Sequence, residues 1–162
     1  MKQTPWWKGS RGEWYVVAQG FVFLLVGLGP RSLPGWPAWP SPWSAAAAIL
    51  GAVFLLVGGA LALAGLLRLG PNLSPLPYPK DDATLVETGV YGLVRHPIYS
   101  GLIFAALGWG LLLHGGLTLV YALLLFILFD LKSRREEAWL RAKFPAYAAY
   151  QQRVRKLIPF VY

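Results

Sequence analysis

The sequence predicts an all-α integral membrane protein with about four transmembrane helices and a C-terminal cytosolic helical extension. Apolar residues make up 56% of the 162 residues and charged residues only 14%, whereas soluble domains carry roughly 25% charged residues. Apolar segments alternate with polar stretches along the chain. Most of the positive charge lies outside these segments, as is typical of chains that cross a bilayer.

The first two apolar segments occupy residues 1–68 and are expected to be transmembrane helices. The first covers about 14–29, close to the lower limit of roughly 17–25 residues for a span. The second covers about 44–67 and is rich in glycine and alanine, which allow close helix packing. Between them, the prolines of 30–42 exclude a regular helix, and the tryptophans there favour the headgroup level.

The next two apolar segments, over 97–131, are expected to form a transmembrane hairpin. A cytosolic loop over 69–96 leads to it, and the prolines at the start of this loop favour an irregular path. Pro97 suits the first position of the third helix. His114 and the two glycines after it form the turn to the fourth helix.

The fourth helix has no stop signal at Leu131, because good helix formers continue to Lys143. We therefore expect it to leave the membrane and to begin a cytosolic C-terminal part over 132–162. Pro145 ends this helix, and a short amphipathic helix over about 146–156 follows on the membrane surface.

The distribution of charge predicts the orientation of the chain. Of the 15 Lys and Arg residues, only Arg31 falls on the far side of the four expected spans. The positive-inside rule then places both termini in the cytoplasm, and we expect a bacterial inner membrane as the location.

Charge and composition also exclude several classes of function. The net charge of +8 lies between and after the apolar segments, which favours membrane lipids over nucleic acid as partners. The chain contains no cysteine, which excludes disulfides, thiolate metal sites and a cysteine nucleophile. No metal site is expected.

Ionisable residues gather at two places that the hairpin would bring together. Arg95 and His96 stand immediately before the third helix, and Glu136 stands just after the fourth apolar segment. Placing an ionisable group in a membrane costs free energy, so such residues usually have a functional role. Lys132 and Glu136 are four residues apart and share one helix face. This face offers a cation for an anionic group and a carboxylate for an amino or hydroxyl group.

Each of these residues has a simpler interpretation when it is taken alone. Arg95 matches an interfacial positive-inside arginine, and His96 matches a helix cap. Glu136 and Glu137 match a solvent-exposed helix face paired with arginines of the same helix. The combination of the two clusters is what favours a functional site.

A spaced pattern covers about 83–160, half of the chain. It reads Gly-x-Tyr-x-x-x-Arg-His-Pro-x-Tyr-x-Gly, a hydrophobic hairpin, Glu-Glu-x-x-Leu-x-x-x-Phe, then Tyr-x-x-Tyr and a late proline. The residues that carry it are Gly89, Tyr91, Arg95, His96, Pro97, Tyr99, Gly101, Glu136, Glu137, Leu140, Phe144, Tyr147, Tyr150 and Pro159. The pattern resembles the isoprenylcysteine carboxyl methyltransferase and phospholipid methyltransferase superfamily of integral membrane enzymes.

The resemblance implies S-adenosylmethionine as methyl donor, bound on the cytosolic side by the core 83–160. The residues expected to contact the donor are Tyr91, His96, Pro97, Ile98, Tyr99, Glu136, Leu85 and Val86. The expected catalytic residues are Lys132, Arg95 and Glu137. In isoprenylcysteine methyltransferases an arginine linked to the acceptor carboxylate occupies the position of Lys132. Lysine keeps that charge but loses the bidentate geometry.

The function expected from the resemblance is methyl transfer to a lipophilic acceptor, either a small molecule or a lipid-anchored group. An isoprenylcysteine-like carboxylate needs no base, whereas a phospholipid amine must lose a proton, for which Glu137 or His96 is the candidate. A membrane reductase of related topology with a nicotinamide cofactor stays open, as does a non-catalytic membrane subunit. The acceptor and the oligomeric state are not determined by the sequence.

Overall fold

The computed structural model describes residues 9–162, which form an all-helical structure without β-strands in that range. The helices are α1 (Glu13–Leu28), α2 (Trp43–Leu69), α3 (Pro97–Leu112), α4 (Gly116–Lys143) and α5 (Tyr147–Arg153). Short 3₁₀ helices lie at Gly70–Asn72 and Gly89–Gly92. The expected cytoplasmic position of Lys2 and Lys8 lies outside the described residues.

The four apolar segments are helical where the sequence predicts them, and α4 continues to Lys143 as expected. The last helix is shorter than the predicted 146–156, because the chain after Arg153 becomes extended. There the carbonyl of Arg155 accepts the backbone N–H of Arg95 at 2.8 Å, and the carbonyl of Lys156 accepts that of His96 at 3.1 Å.

Two helices are long and apolar enough to cross a membrane, over Trp43–Asn72 and Gly116–Lys143. α1 and α3 are apolar but have 16 residues each, or about 24 Å of helix at the usual rise per residue. The hydrocarbon core of a bilayer is about 30 Å thick. Helix length therefore supports α2 and α4 as membrane spans, whereas α1 and α3 are shorter than the hydrocarbon core.

Large apolar side chains cover the outer faces of the helices. Leu28 of α1 is 82% exposed, and Leu56 and Leu67 of α2 are 73% and 75% exposed. Helices that are apolar both inside and outside are typical of proteins surrounded by lipid.

α2 and α3 pack antiparallel at very short range, because glycines of each helix face the backbone of the other. A Cβ atom added to Gly58 would lie 2.5 Å from the carbonyl oxygen of Gly101, and one added to Gly101 would lie 2.4 Å from that of Gly58. Gly51 and Gly108 form a second pair of this kind. The close packing predicted from the glycines of the second segment is confirmed.

The chain after α5 folds back against the start of α3. Leu157 is buried, and its carbonyl accepts a hydrogen bond from the Ser100 hydroxyl at 2.6 Å. The ammonium of Lys156 pairs with the Asp130 carboxylate of α4, which also accepts the Tyr162 hydroxyl at 2.8 Å. These contacts fix the loop that carries Arg95 and His96 against α4.

Candidate active site

A cavity of about 300 Å³ lies where α3 begins and where α4 extends past the hairpin. Its walls come from α1, the segment 69–86, the residues around the start of α3, the second half of α4, and α5. Ligand pockets of small molecules begin at about this volume. The sequence-predicted site residues that line it are Leu85, Val86, Tyr91, Arg95, His96, Ile98, Tyr99, Lys132 and Glu136.

Two predicted site residues do not line the cavity. Pro97 is buried against α2, where a Cβ atom added to Gly65 would lie 3.1 Å from the Pro97 Cγ. Glu137 lies behind the cavity wall, where it contacts Arg95 and His96. Their predicted roles toward a cofactor or an acceptor stay predictions.

A stack of three aromatic rings crosses the site. The ring of His96 stacks on Tyr99 with centroids 5.3 Å apart, and Tyr99 stacks on Phe129 at 4.5 Å. The Tyr99 hydroxyl donates to Glu136 Oε2 at 2.7 Å, and His96 Nδ1 lies 3.9 Å from the same oxygen. The expected proximity of His96 and Glu136 is therefore confirmed.

Glu137 joins three segments of the chain behind the cavity. Its Oε1 accepts from Arg95 Nε at 2.7 Å and lies 3.1 Å from His96 Nε2, and its Oε2 accepts from Gln151 Nε2 at 2.8 Å. The interpretation of Glu137 as a solvent-exposed residue paired on its own helix is wrong. Its side chain is buried and pairs with Arg95, 42 positions earlier in the chain.

Arg95 is held by acceptors on both sides. Besides Glu137, its guanidinium donates to the backbone carbonyls of Val154 and of Gln151, the latter at 3.2 Å. These partners leave the Arg95 side chain little conformational freedom. Arg95 can therefore hold the residues it contacts in fixed positions. Arg95 thus also lines the cavity as part of a rigid wall.

Three buried tyrosines form the side of the cavity nearest α5. Burial raises the pKa of Tyr91, and the nearby Glu136 carboxylate adds to this effect. Burial likewise raises the pKa of Tyr147 and of Tyr150. The Tyr150 hydroxyl donates to the Tyr91 carbonyl at 2.6 Å. These phenols therefore stay neutral at physiological pH and act as hydrogen-bonding groups.

Lys132 lies at another part of the wall. It is 2% exposed, and its ammonium donates to Gln19 Oε1 at 2.7 Å. The ammonium also lies 5.1 Å from the centre of the Tyr99 ring. The structure thus places a cation and the Glu136 carboxylate in one cavity, as the sequence predicts.

The proline-rich segment 70–86 closes the cavity like a strap and is held by a hydrogen bond between its own residues and by hydrogen bonds from α4. The Thr84 backbone N–H donates to Asn72 Oδ1 at 3.0 Å. The Lys143 ammonium donates to the carbonyls of Lys80 and Asp81, the latter at 2.8 Å. The sequence predicts Leu85 and Val86 of this strap as site residues, but it does not predict the strap's earlier half over 72–79.

Sequence reasoning also missed Gln19 of α1, a polar residue of the cavity wall. Placing an amide in an otherwise apolar helix costs free energy. The presence of Gln19 within the apolar run 14–28 was therefore a signal in the sequence that this residue has a role. Its partner Lys132 is 113 residues away, which no local pattern indicates.

The chain is similar to known proteins over most of its length. A family model described as phospholipid methyltransferase matches residues 46–146. The protein-S-isoprenylcysteine O-methyltransferase of Schizosaccharomyces pombe is 34% identical over 112 residues, a match covering 67% of this chain and 48% of that protein. The cobalt-zinc-cadmium resistance protein CzcN of Cupriavidus metallidurans is 31% identical over 150 residues, a match covering 91% and 62%.

A solved structure shares the fold. It is that of the eukaryotic intramembrane Ras methyltransferase, isoprenylcysteine carboxyl methyltransferase, without a monobody. The TM-score is 0.64 at 25% identity, and the similarity covers 99% of this chain and 55% of that one. The chain thus spans roughly half to three-fifths of the length of these relatives.

Proposed function

The chain belongs to the phospholipid methyltransferase family, and we propose that it transfers a methyl group from S-adenosylmethionine to a lipophilic acceptor at a membrane face. The observation that carries the proposal is the cavity itself. It combines stacked aromatic rings, the Glu136 carboxylate and the buried Lys132 ammonium within largely apolar walls.

The residues of the cavity suit this donor. Glu136 accepts hydrogen bonds and favours an amino group or ribose hydroxyls, and the ring of Tyr91, which also lines the cavity, suits a cationic centre. When bound, S-adenosylmethionine supplies an electrophilic methyl group on a sulfonium sulfur, which leaves as a neutral thioether and needs no general acid. The strap residues 83–86 close the cavity on the donor side.

The work of the chain is alignment and exclusion of water. Tyr99 holds the Glu136 carboxylate, and Glu137 holds Arg95 and His96 from behind. If the acceptor is an amine, His96 is the residue placed to take its proton, because it lines the cavity whereas Glu137 does not. A carboxylate acceptor requires no base.

We place the cavity at the cytosolic face of a bacterial inner membrane, with four spans and both termini in the cytoplasm. The apolar helices and the membrane enzyme of similar fold support an integral membrane protein. The concentration of Lys and Arg on one side supports the orientation. The acceptor is proposed only as lipophilic, because the similar proteins include both isoprenylcysteine methyltransferases and a metal-resistance protein.

Binding of S-adenosylhomocysteine to the detergent-purified chain tests the proposal. Calorimetry should show saturable binding by the wild type and at least tenfold weaker binding by Glu136→Ala. Glu13→Ala is the matched control, since Glu13 lies at the start of α1 outside the cavity.

No binding by folded wild-type protein would contradict the proposal. Binding of a nicotinamide cofactor in its place would then favour the membrane reductase. Binding of neither cofactor would favour a non-catalytic subunit.

A further inference from the structure

Tyr147 carries a hydroxyl group that has no partner within the described part of the chain. The residue is the first tyrosine of the Tyr-x-x-Tyr pattern, lies in α5 and is 2% exposed. Among residues 9–162 its hydroxyl makes no hydrogen bond, whereas the hydroxyl of Tyr150 donates to the Tyr91 carbonyl at 2.6 Å. Buried polar groups in proteins normally have a hydrogen-bond partner, so a ligand is a candidate partner for this hydroxyl.

The Tyr147 hydroxyl is open to the cavity. The described residues contain no fully enclosed side-chain nitrogen or oxygen without a partner, so the small accessible part of Tyr147 includes its oxygen. Tyr147 lines the cavity. Its ring packs edge-on against Tyr150 with centroids 5.6 Å apart, and its backbone N–H donates to the Phe144 carbonyl at 3.0 Å. The hydroxyl is therefore held in place in the cavity wall.

The charges around this hydroxyl indicate which ligand atom it can bind. Burial raises the pKa of Tyr147, the Glu137 and Glu136 carboxylates raise it further, and Arg95 partly offsets them. The phenol is therefore a neutral donor at physiological pH. The same two carboxylates repel a negatively charged ligand group at this point. A neutral acceptor, such as a ring nitrogen or a hydroxyl oxygen, is the partner that fits.

The cavity wall beside this hydroxyl is apolar and aromatic. Leu140 and Phe144 at the end of α4 line the cavity together with Tyr147 and Tyr150 of α5. Such a surface suits a flat aromatic ring, and a purine adds neutral ring nitrogens that accept hydrogen bonds. Of the two substrates of the proposed reaction, the methyl donor carries a purine nucleoside, whereas the reacting group of the acceptor is a carboxylate or an amine.

We propose that Tyr147 is a further residue that binds the methyl donor, its hydroxyl donating to a neutral nitrogen or oxygen atom of the nucleoside. The inference rests on the proposed function. It brings α5, which begins just after the matched region 46–146, into donor binding. Tyr150, one helical turn later, keeps a structural role through its bond to the Tyr91 carbonyl.

A purely structural role for Tyr147 gives a different expectation. If its hydroxyl served only folding, Tyr147→Phe would lower the unfolding midpoint of the ligand-free protein. Tyr150→Phe should do so, since it removes the hydrogen bond to the Tyr91 carbonyl. A hydroxyl that serves a ligand leaves the midpoint unchanged or higher when it is removed, because no hydrogen bond within the protein is lost.

The experiment compares S-adenosylhomocysteine with methylthioadenosine, which keeps the nucleoside and the sulfur but lacks the amino acid chain. Calorimetry on the full detergent-purified chain measures the affinity of each compound. Tyr147→Phe should weaken both by the same factor, about three- to tenfold, as expected for one hydrogen bond. Tyr121→Phe, away from the cavity, should bind both like the wild type. Circular dichroism against temperature gives the midpoints without ligand.

Four outcomes overturn the inference while the wild type still binds S-adenosylhomocysteine, so they leave the proposed function in place. The affinity of Tyr147→Phe for this compound equals that of the wild type. The loss is confined to this compound, which places the hydroxyl against the amino acid chain. The wild type fails to bind methylthioadenosine. The midpoint of Tyr147→Phe falls as far as that of Tyr150→Phe. Folded wild-type protein that binds neither compound would refute the proposed function and this inference with it.

Discussion

The adjacent residues Glu136 and Glu137 lie on opposite sides of the cavity wall. Successive residues of an α-helix point about 100° apart, so Glu136 faces the cavity while Glu137 faces Arg95 and His96 behind it. The pair thus joins a cavity-facing carboxylate, Glu136, to a buried carboxylate, Glu137, that positions its neighbours. The chemistry of the site depends on this division, because a carboxylate saturated by an arginine is a poor acceptor for a ligand.

Tyr99 is expected to restrain Glu136 for donor binding. Tyr99→Phe keeps the ring stack but removes the hydroxyl that donates to Glu136 at 2.7 Å. Hydrogen bonds to charged groups contribute about 1.5–3 kcal/mol, so affinity for S-adenosylhomocysteine should fall roughly tenfold or more. Calorimetry on the purified variant checks this.

Tyr121→Phe is the control for that variant, because Tyr121 lies on α4 away from the cavity and packs near Gly29. It should bind like the wild type. Equal affinities of Tyr99→Phe and the wild type would show that the hydroxyl plays no part in donor binding.

The pairing of α2 with α3 sets the position of the first residues of the site. Pro97 and Ile98, the two residues after His96, contact α2 at Gly65. The glycine contacts further along the two helices hold this end in place. Helix packing within a membrane depends on such close backbone approach, since apolar side chains gain little there by leaving lipid.

Gly58→Ala is expected to separate these helices. The new Cβ atom would lie 2.5 Å from the Gly101 carbonyl oxygen, and overpacking of this kind costs about 1–3 kcal/mol. Unfolding of the detergent-solubilised protein, followed by circular dichroism against temperature, should show a lower midpoint.

Gly59→Ala provides the comparison, because nothing lies within 4 Å of a Cβ atom at Gly59. Both substitutions gain the same helix propensity, about 1 kcal/mol at most, so their difference isolates packing. Midpoints that move equally would contradict the glycine-based packing.

The assembled chain has one polar end and one end rich in proline and tryptophan. The cavity, the strap and α5 share the polar end, whereas the loop 30–42 and the turn at His114 share the other. At that second end, His114 Nε2 lies 2.8 Å from the Ser44 carbonyl oxygen and its ring lies near Trp39. A polar end beside apolar helices suits the proposed reaction, in which a polar donor would come from water and a lipophilic acceptor from the bilayer.

The proposed orientation can be measured directly, because the chain has no cysteine of its own. Single cysteines at Ser32→Cys, in the exposed loop 30–42, and at Asp82→Cys, in the strap, give one exposed site at each end. In intact bacterial cells, a membrane-impermeant maleimide should label Ser32→Cys and leave Asp82→Cys unlabelled. Lysed cells should label both. Labelling of Asp82→Cys alone in intact cells would reverse the topology.

The positions of the helices and of the two ionisable clusters follow from the sequence. Runs of apolar residues, prolines at helix ends and uninterrupted helix formers up to Lys143 are local signals, and they act over one or two helical turns. The motif spacing around Arg95 and Glu136 likewise identified the lining residues near the start of α3 and the Glu136 carboxylate of α4, but not those of 69–79 or of α1.

Apart from the proximity of His96 and Glu136, the contacts between distant segments were decided only by the tertiary structure. Gln19 meets Lys132, Glu137 meets Arg95 in place of its own helix neighbours, and the tail beyond Arg153 becomes extended to bind the backbone of Arg95 and His96. Each of these contacts depends on how helices pack side by side and on which buried polar group finds a partner. That choice is made by the complete packed arrangement, because every buried donor and charge must be satisfied at once.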